Sequence, residues 1–180
     1  MHILKGFRCK GCDLKSTRTK RVPGRGQWPA EVLFIGEAPG KTEDILGEAF
    51  VGPNGKLLQR GIQDAERMSG ASAPSYYITN VVACRPCDAH AGPNREPTAE
   101  EALACWPRLK FTYDRVQPDF VVFLGKVAEK HCKRAWPNAV SLVHPAFVLR
   151  CGGTTSSAYR TFVRGLATVF KIAARKRSHG

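Results

Sequence analysis

The chain contains no apolar run long enough to cross a membrane, which takes about 20 predominantly apolar residues. The first twelve residues also lack the apolar core of a signal peptide. Acidic residues are few: 15 Asp and Glu stand against 28 Lys and Arg, so the formal net charge is +13 at pH 7. These features predict a cytoplasmic protein with a polyanionic partner, either nucleic acid or an anionic membrane surface.

The seven cysteines are an odd number, which argues against a disulfide framework in a cytoplasmic protein. Metal or cluster ligation is the better interpretation for some of them. Cys9 and Cys12 form a C-x-x-C pair in a basic segment rich in turn formers, residues 1–30. Such a pair alone could be half a zinc site, a redox pair or two ligands of a cluster.

Four short runs rich in apolar or β-branched residues alternate with helical patterns along the chain. The runs predict strands at 32–35, 76–82, 119–124 and 139–143, and the patterns predict helices at 55–68, 98–115, 126–135 and 158–174. Thr98 with Glu101 forms a capping box at the start of one helix. The alternation predicts one domain over 1–180, a three-layer α/β/α sandwich with a mainly parallel four-stranded sheet, followed by a basic tail at 171–180.

The segment after the first strand is rich in glycine and acid in an otherwise basic chain. It begins with Gly36-Glu37-Ala38-Pro39-Gly40 and later places Phe50 among small residues. Neither G-x-G-x-x-G nor G-x-x-x-x-G-K-[ST] occurs in the chain, so a common phosphate loop is a poor explanation. Loops at the carboxyl ends of strands bind ligands in open α/β sheets, and this segment therefore predicts a binding site.

Together these motifs resemble the family 4 uracil-DNA glycosylases, which are iron–sulfur enzymes. The resemblance is carried by the Gly36–Gly40 loop, Glu43-Asp44, Phe50-Val51-Gly52, a strand-end asparagine, a His-Pro-Ala loop and four cysteines. It covers about residues 9–170 and implies the same α/β fold. It further implies a monomeric enzyme that flips uracil out of single- or double-stranded DNA and hydrolyses its glycosidic bond, without an obligate protein partner or a membrane.

The resemblance also implies a [4Fe-4S] cluster on Cys9, Cys12, Cys84 and Cys105. The interval between Cys84 and Cys105 is longer than expected for the family, and 87–92 looks inserted. Cys87 could therefore replace Cys84, although Cys84-Arg85-Pro86 keeps the family's run. Zinc on four cysteines is the alternative to the cluster.

For the pocket, the resemblance implies that Phe50 stacks on uracil, that Asn80 reads its Watson–Crick edge, and that Gly36 and Ala38 contribute to binding. Glu43 would lie at the mouth and block the methyl group of thymine. His144 would donate a hydrogen bond to the leaving uracil, and Glu37 would orient the water or stabilise the positive sugar. On the DNA side, Phe147 and Leu149 would fill the gap that the flipped base leaves, and Arg150 would contact a phosphate.

Three other functions remain compatible with the sequence. One is a uracil-DNA-binding protein that forms a covalent or non-turnover complex, because the inserted segment carries His90. The second is a catalytically inactive DNA-binding module. The third is a glycosylase with a different base preference, such as hypoxanthine.

Overall fold

A computed structural model describes residues 3–90 and 92–179 of the protein. Its centre is a five-stranded sheet in the order β1-β3-β2-β4-β5. The strands are Arg25–Gly26, Val32–Gly36, Tyr76–Asn80, Phe120–Leu124 and Val140–Leu142. The four longer strands are parallel, which confirms the predicted sheet, and β1 adds a fifth, antiparallel strand at the edge.

Seven α-helices connect and flank these strands within the described residues. They are α1 Leu14–Thr17, α2 Lys41–Leu46, α3 Pro53–Ser69, α4 Ala99–Val116, α5 Lys126–Cys132, α6 Pro145–Arg150 and α7 Ser157–His179, with a 3-10 turn at Gly153–Thr155. The Thr98–Glu101 capping box forms as predicted, and α4 continues through Pro107. None of the helices in 3–90 and 92–179 is both long and apolar enough to cross a membrane.

Helices cover both faces of the sheet, which explains why its strands are continuous apolar runs. Phe34 and Val122 point to the face where α3 and α7 pack, with Phe162 at the centre of that cluster. Leu33 and Phe123 point to the opposite face, against α1, α4 and α5. The result is the predicted α/β/α sandwich with one core on each side of the sheet.

The acidic segment after β2, predicted as a loop, contains the helix α2. Two later segments also differ from their prediction in form. The stretch 145–150, predicted as a loop, is the helix α6. The basic tail from residue 171 is helical through residue 179 as part of α7, and Gly180 lies outside the described residues. Both are basic or partly exposed segments in which an apolar period is hard to recognise.

The strand order reverses between β2 and β4. From β2 the chain crosses to β3 on one side, and it later returns to β4 on the other side. The loops after β2 and β4 therefore diverge and leave a crevice at the carboxyl ends of the strands, where ligands bind in open α/β sheets.

Candidate active site

A small pocket lies at this carboxyl edge of the sheet. Four parts of the chain build it. They are the loop after β2, the start of α3, the end of β3 and the segment after β5. Its lining residues are Ala38, Gly40, Glu43, Phe50, Asn54, Asn80 and His144. The fold thus brings together five residues that were predicted separately from distant parts of the chain, and it adds Gly40 and Asn54.

Asn80 ends β3 directly opposite Gly36, the last residue of β2. Its side chain is buried, with only 2% of the residue exposed. Even so, Oδ1 has no hydrogen-bond partner among the described residues. A buried amide oxygen without a partner costs free energy, and this atom is free to accept a hydrogen bond from a ligand.

Phe50 lies beside this asparagine in a strained backbone conformation. Its φ is +54°, in the left-handed region that non-glycine residues rarely adopt. Arg25 holds it there by donating from Nε to the Ala49 carbonyl at 2.7 Å and from Nη2 to the Phe50 carbonyl at 3.0 Å. A Cβ on Gly36 would lie 2.6 Å from both Asn80 Oδ1 and Phe50 Cζ. Because Gly36 has no side chain, the Asn80 amide and the Phe50 ring can approach each other at this point.

Two carboxylates of the acidic segment accept hydrogen bonds from backbone amides. Glu43 accepts hydrogen bonds from the Gly40 and Gly52 amides at 3.2 and 2.8 Å, and so closes the loop around the pocket. Asp44 is buried and accepts from the Thr19 and Lys20 amides. Glu43 lines the pocket as expected, and its proposed effect on thymine stays a prediction.

Glu37 differs from these neighbours. Its half-buried carboxylate forms no hydrogen bond or ion pair with any residue in the described part of the chain. It is not one of the residues that line the pocket, although the adjacent Ala38 is. Burial raises the pKa of Glu37, and the nearby Glu96 carboxylate raises it further. A carboxylate of this kind is a stronger base than usual.

His144 is the N-cap of α6, and this position fixes its tautomer. The Ala146 amide donates to Nδ1 at 3.0 Å, so Nδ1 is an acceptor and the proton of the neutral ring must be on Nε2. Burial, with a smaller contribution from Arg150, lowers the pKa of His144 to about 4. Gly125, with φ +95°, gives it room, because a Cβ there would lie 2.8 Å from the His144 Cβ. The ring is therefore a neutral hydrogen-bond donor through Nε2 at physiological pH.

The predicted DNA-contacting residues follow His144 on α6. Phe147 and Leu149 are 45% and 38% exposed, so one short helix presents two large apolar side chains to solvent. Phe147 and Arg150 line a groove that also includes His144. The apolar side chains thus lie one turn from the pocket, on the same helix whose N-cap is His144.

Four of the cysteines occupy a separate cavity, between the N-terminal segment, the residues that follow β3, and α4. Cys9, Cys12, Cys84 and Cys105 all line it. Burial raises the pKa of the Cys12 and Cys84 thiols, and their neighbouring cysteines add to the effect. Arg18 Nη1 lies 3.1 Å from Cys84 Sγ. Among the described residues, no three His, Cys, Asp or Glu side chains are grouped closely enough to hold one metal ion.

Cys87 and His90, the alternatives in the inserted segment, lie elsewhere. Cys87 Sγ is buried next to the Thr17 carbonyl, 3.9 Å away, and does not line the cysteine cavity. His90 Nδ1 is 3.0 Å from the same carbonyl, and His90 is not among the pocket residues. Arg85 organises the segment by donating to Asn94 and to the carbonyls of residues 90 and 92.

Sequence reasoning missed two arginines that support the site. Arg25 sits in a Pro/Gly-broken connector and holds Phe50. Arg108 is 2% exposed on α4, where it bonds to the end of β3. The i, i+3 spacing from Cys105 to Arg108 was the one available signal, since it places both on one helix face.

Comparison with known proteins agrees with this geometry. The family model of the Uracil DNA glycosylase superfamily matches residues 23–167. Type-4 uracil-DNA glycosylases of Archaeoglobus fulgidus and Saccharolobus solfataricus are 42% and 43% identical over 120 and 119 residues, which is 67% and 66% of this chain. The Thermotoga maritima protein of the same name is 39% identical over 121 residues, or 67% of this chain.

These alignments cover 56%, 51% and 58% of the three relatives, in the order given. The chain therefore spans about half the length of the curated relatives that it matches. The family model, by contrast, covers most of the chain, including the strands and loops that build the pocket. The chain belongs to the uracil DNA glycosylase superfamily.

Proposed function

We propose that the protein is a monofunctional uracil-DNA glycosylase, which hydrolyses the N-glycosidic bond of uracil in DNA and leaves free uracil and an abasic site. The observation that carries the proposal is the buried, unpartnered Oδ1 of Asn80, placed beside Phe50 in the same pocket as a neutral His144. The relatives named Type-4 uracil-DNA glycosylases support it.

Base recognition follows from the atoms that Asn80 offers. A carboxamide can accept from N3–H and donate to O4 of uracil at the same time. Cytosine presents a lone pair at N3 and an amino group at C4, so the same amide would face two mismatches. Phe50 supplies an apolar surface on which a flipped base can stack, and Gly36 lets the ring and the Asn80 amide lie close enough to contact the same base.

Bond cleavage makes the departing uracil negative and the sugar positive. The Nε2–H of His144 donates to O2 of uracil and stabilises the negative charge as the bond breaks. Because the proton of the neutral ring is on Nε2, the ring can donate this hydrogen bond without carrying a positive charge. The Glu37 carboxylate, which forms no hydrogen bond with the residues that the structure describes, orients the water that attacks the sugar carbon.

The substrate is uracil-containing DNA, single- or double-stranded. Phe147 and Leu149 on α6 are exposed next to the pocket and fill the space of the flipped base, while Arg150 binds a phosphate. The net charge of +13 supports binding to a polyanion. One copy of the chain supplies every group named here, which supports a monomer and one domain over 1–180.

We further propose that Cys9, Cys12, Cys84 and Cys105 hold a [4Fe-4S] cluster. Four cysteines from three parts of the chain line one cavity, and no carboxylate is among its lining residues, which suits a thiolate-bound cluster. In such a cluster each thiolate binds a different iron, so the ligands need not converge on one point. When bound, the group would join the N-terminal segment to β3 and α4, a structural role.

The test is an excision assay on a labelled oligonucleotide with one uracil, analysed on denaturing gels with and without alkali. We expect alkali-dependent cleavage by the iron-replete protein. It should fall by about 100-fold or more in Asn80→Ala and His144→Ala, the loss typical of removing one preorganised hydrogen bond. Asn138→Ala, an exposed asparagine before β5, is the matched control.

Two outcomes would overturn the proposal. No cleavage of single-stranded uracil DNA by iron-replete protein would leave only a binding function. A DNA–protein adduct that survives denaturation, and is lost in His90→Ala, would establish the covalent alternative.

A further inference from the structure

Arg108 is a buried guanidinium group that the proposed chemistry does not use. It is 2% exposed and is the largest of the fully buried side chains. It donates to Thr79 Oγ1 at 2.8 Å and to the carbonyls of Asn80 and Val81 at 2.6 and 2.7 Å. No carboxylate of the described residues forms an ion pair with it, and its Nε is buried without a partner. Since a buried charge without a counter-ion is costly, an anion is expected next to it.

The cysteine cavity provides the place for that anion. Arg108 lies one helical turn after Cys105 on α4 and lines the cavity together with all four cysteines. Four thiolates carry four negative charges, and a [4Fe-4S] core offsets only part of them. The lining also includes Arg21, and Arg18 contacts Cys84, but both of these belong to the partly exposed N-terminal segment. Arg108, by contrast, is buried in the core and lines the cavity from that side.

The other side of Arg108 holds the strand end that reads the base. Nη2 bridges the consecutive carbonyls of Asn80 and Val81, and Nη1 binds Thr79, whose hydroxyl donates to the Pro23 carbonyl. The planar guanidinium has donors on separate nitrogens, so it can hold the Thr79 hydroxyl and the two carbonyls at once, whereas an ammonium group has all its donors on one nitrogen. The backbone that carries the Asn80 amide is thereby fixed from behind.

We propose that Arg108 is a positioning residue that couples the four-cysteine site to the uracil pocket. It neutralises the charge of the thiolate-bound group and, with the same guanidinium, holds the backbone of Asn80 and Val81. When the cysteine site loses its group, Arg108 loses its counter-ion, and the end of β3 becomes less ordered. This inference rests on the proposed cluster site and on the proposed role of Asn80.

The experiment compares the full-length iron-loaded wild type with Arg108→Met, Arg108→Lys and iron-stripped wild type. The first readout is amide hydrogen exchange at residues 79–82, and the second is the rate of iron loss to a chelator. The third is the preference, as a ratio of dissociation constants, for an oligonucleotide with a non-cleavable 2′-fluoro-deoxyuridine over the same strand with thymidine.

We expect stripping of the wild type to reduce protection at 79–82 about tenfold, and Arg108→Met to have the same low protection with or without iron. Iron loss should be about tenfold faster in Arg108→Met. Arg108→Lys should restore iron retention, because it keeps the charge, but not the preference for uracil, because it lacks the fork. Arg85→Met, which removes a buried arginine bonded to the inserted segment, is the matched control and should not change exchange at 79–82.

Unchanged exchange at 79–82 after stripping the wild type would overturn the coupling. So would equal effects of Arg85→Met and Arg108→Met, which would indicate general destabilisation. If Arg108→Met does not fold, stripped wild type and Arg108→Lys still decide the question. Failure of the proposed function would be seen separately, as absence of excision by the wild type, because exchange and iron loss are measured without catalysis.

Discussion

At the scale of single residues, the site depends on which polar atoms are left without partners. Glu43 and Asp44 accept hydrogen bonds from backbone amides, whereas in the described part of the chain neither the Glu37 carboxylate nor the Asn80 Oδ1 has a hydrogen-bond partner. The sequence predicted that these residue types gather near one loop. It could not predict which would be satisfied, because the partners of Asp44, Thr19 and Lys20, lie more than twenty positions away in the chain.

The raised pKa of Glu37 makes a prediction about pH. The carboxylate must be ionised to orient water, so the single-turnover excision rate should fall as pH decreases through its pKa, at a pH above the ordinary value of 4.5. Glu96→Gln removes one cause of the raised pKa of Glu37 and should move this decline in rate to lower pH. Glu37→Gln removes the titrating group, so the remaining excision rate should no longer show the decline. The measurement is excision rate from pH 4 to 8.

Two comparisons make this test specific. Glu100→Gln, at the first turn of α4, changes the same charge elsewhere and should leave the profile in place. No second decline near pH 6.5 is expected from His144, because its pKa is about 4. A profile that is the same in wild type and Glu96→Gln would contradict the assignment to Glu37.

At the scale of elements, prediction succeeded where a local pattern is strong. The buried strands are apolar runs, and α4 begins at a capping box, so both could be recognised without the structure. The two-residue β1 and the six-residue α6 could not, because such short segments contain too few repeats for a period to be recognised. Whether 145–150 forms a helix depends on the His144 cap and on packing of Val148 in the core.

The helix α6 predicts a difference between DNA substrates. Phe147→Ala should reduce excision of uracil from duplex DNA about tenfold, because filling the gap left by a flipped base offsets part of the unstacking cost. Single-stranded DNA requires no base-pair opening, so excision from it should change much less. Leu103→Ala is the matched control, since Leu103 is 73% exposed on α4. Equal losses on both substrates would contradict a role in the gap.

At the scale of the whole molecule, the alternation of strands and helices predicted the sandwich and its parallel sheet. The sequence did not predict how the strands pair, because pairing depends on contacts between distant residues. The sequence thus indicated Gly36, Phe50 and Asn80 separately, while their mutual contact required the β2–β3 register. Burial of Arg108 is a second example, since a charged residue is expected at the surface unless its environment is known.

The cysteine site predicts a difference in stability between two neighbouring thiols. Cys84→Ser should lose iron and lower the midpoint of thermal unfolding by about 10 °C, because a group bound only by the folded state stabilises it. Cys87→Ser makes the same change at a buried thiol outside the cavity and should keep its iron. Iron analysis and calorimetry of both variants are the measurements. Loss of iron in Cys87→Ser alone would reverse the choice of ligand.

The pairing of Gly36 with Asn80 also determines whether the pocket can form at all. A slip of one residue between β2 and β3 would move the asparagine by about 3.3 Å and turn its side chain to the other face of the sheet. The pocket that Gly36, Phe50 and Asn80 build could then not form. A copy in the slipped register would keep its net charge of +13 but would lack the proposed excision, so the activity we propose depends on a single strand register.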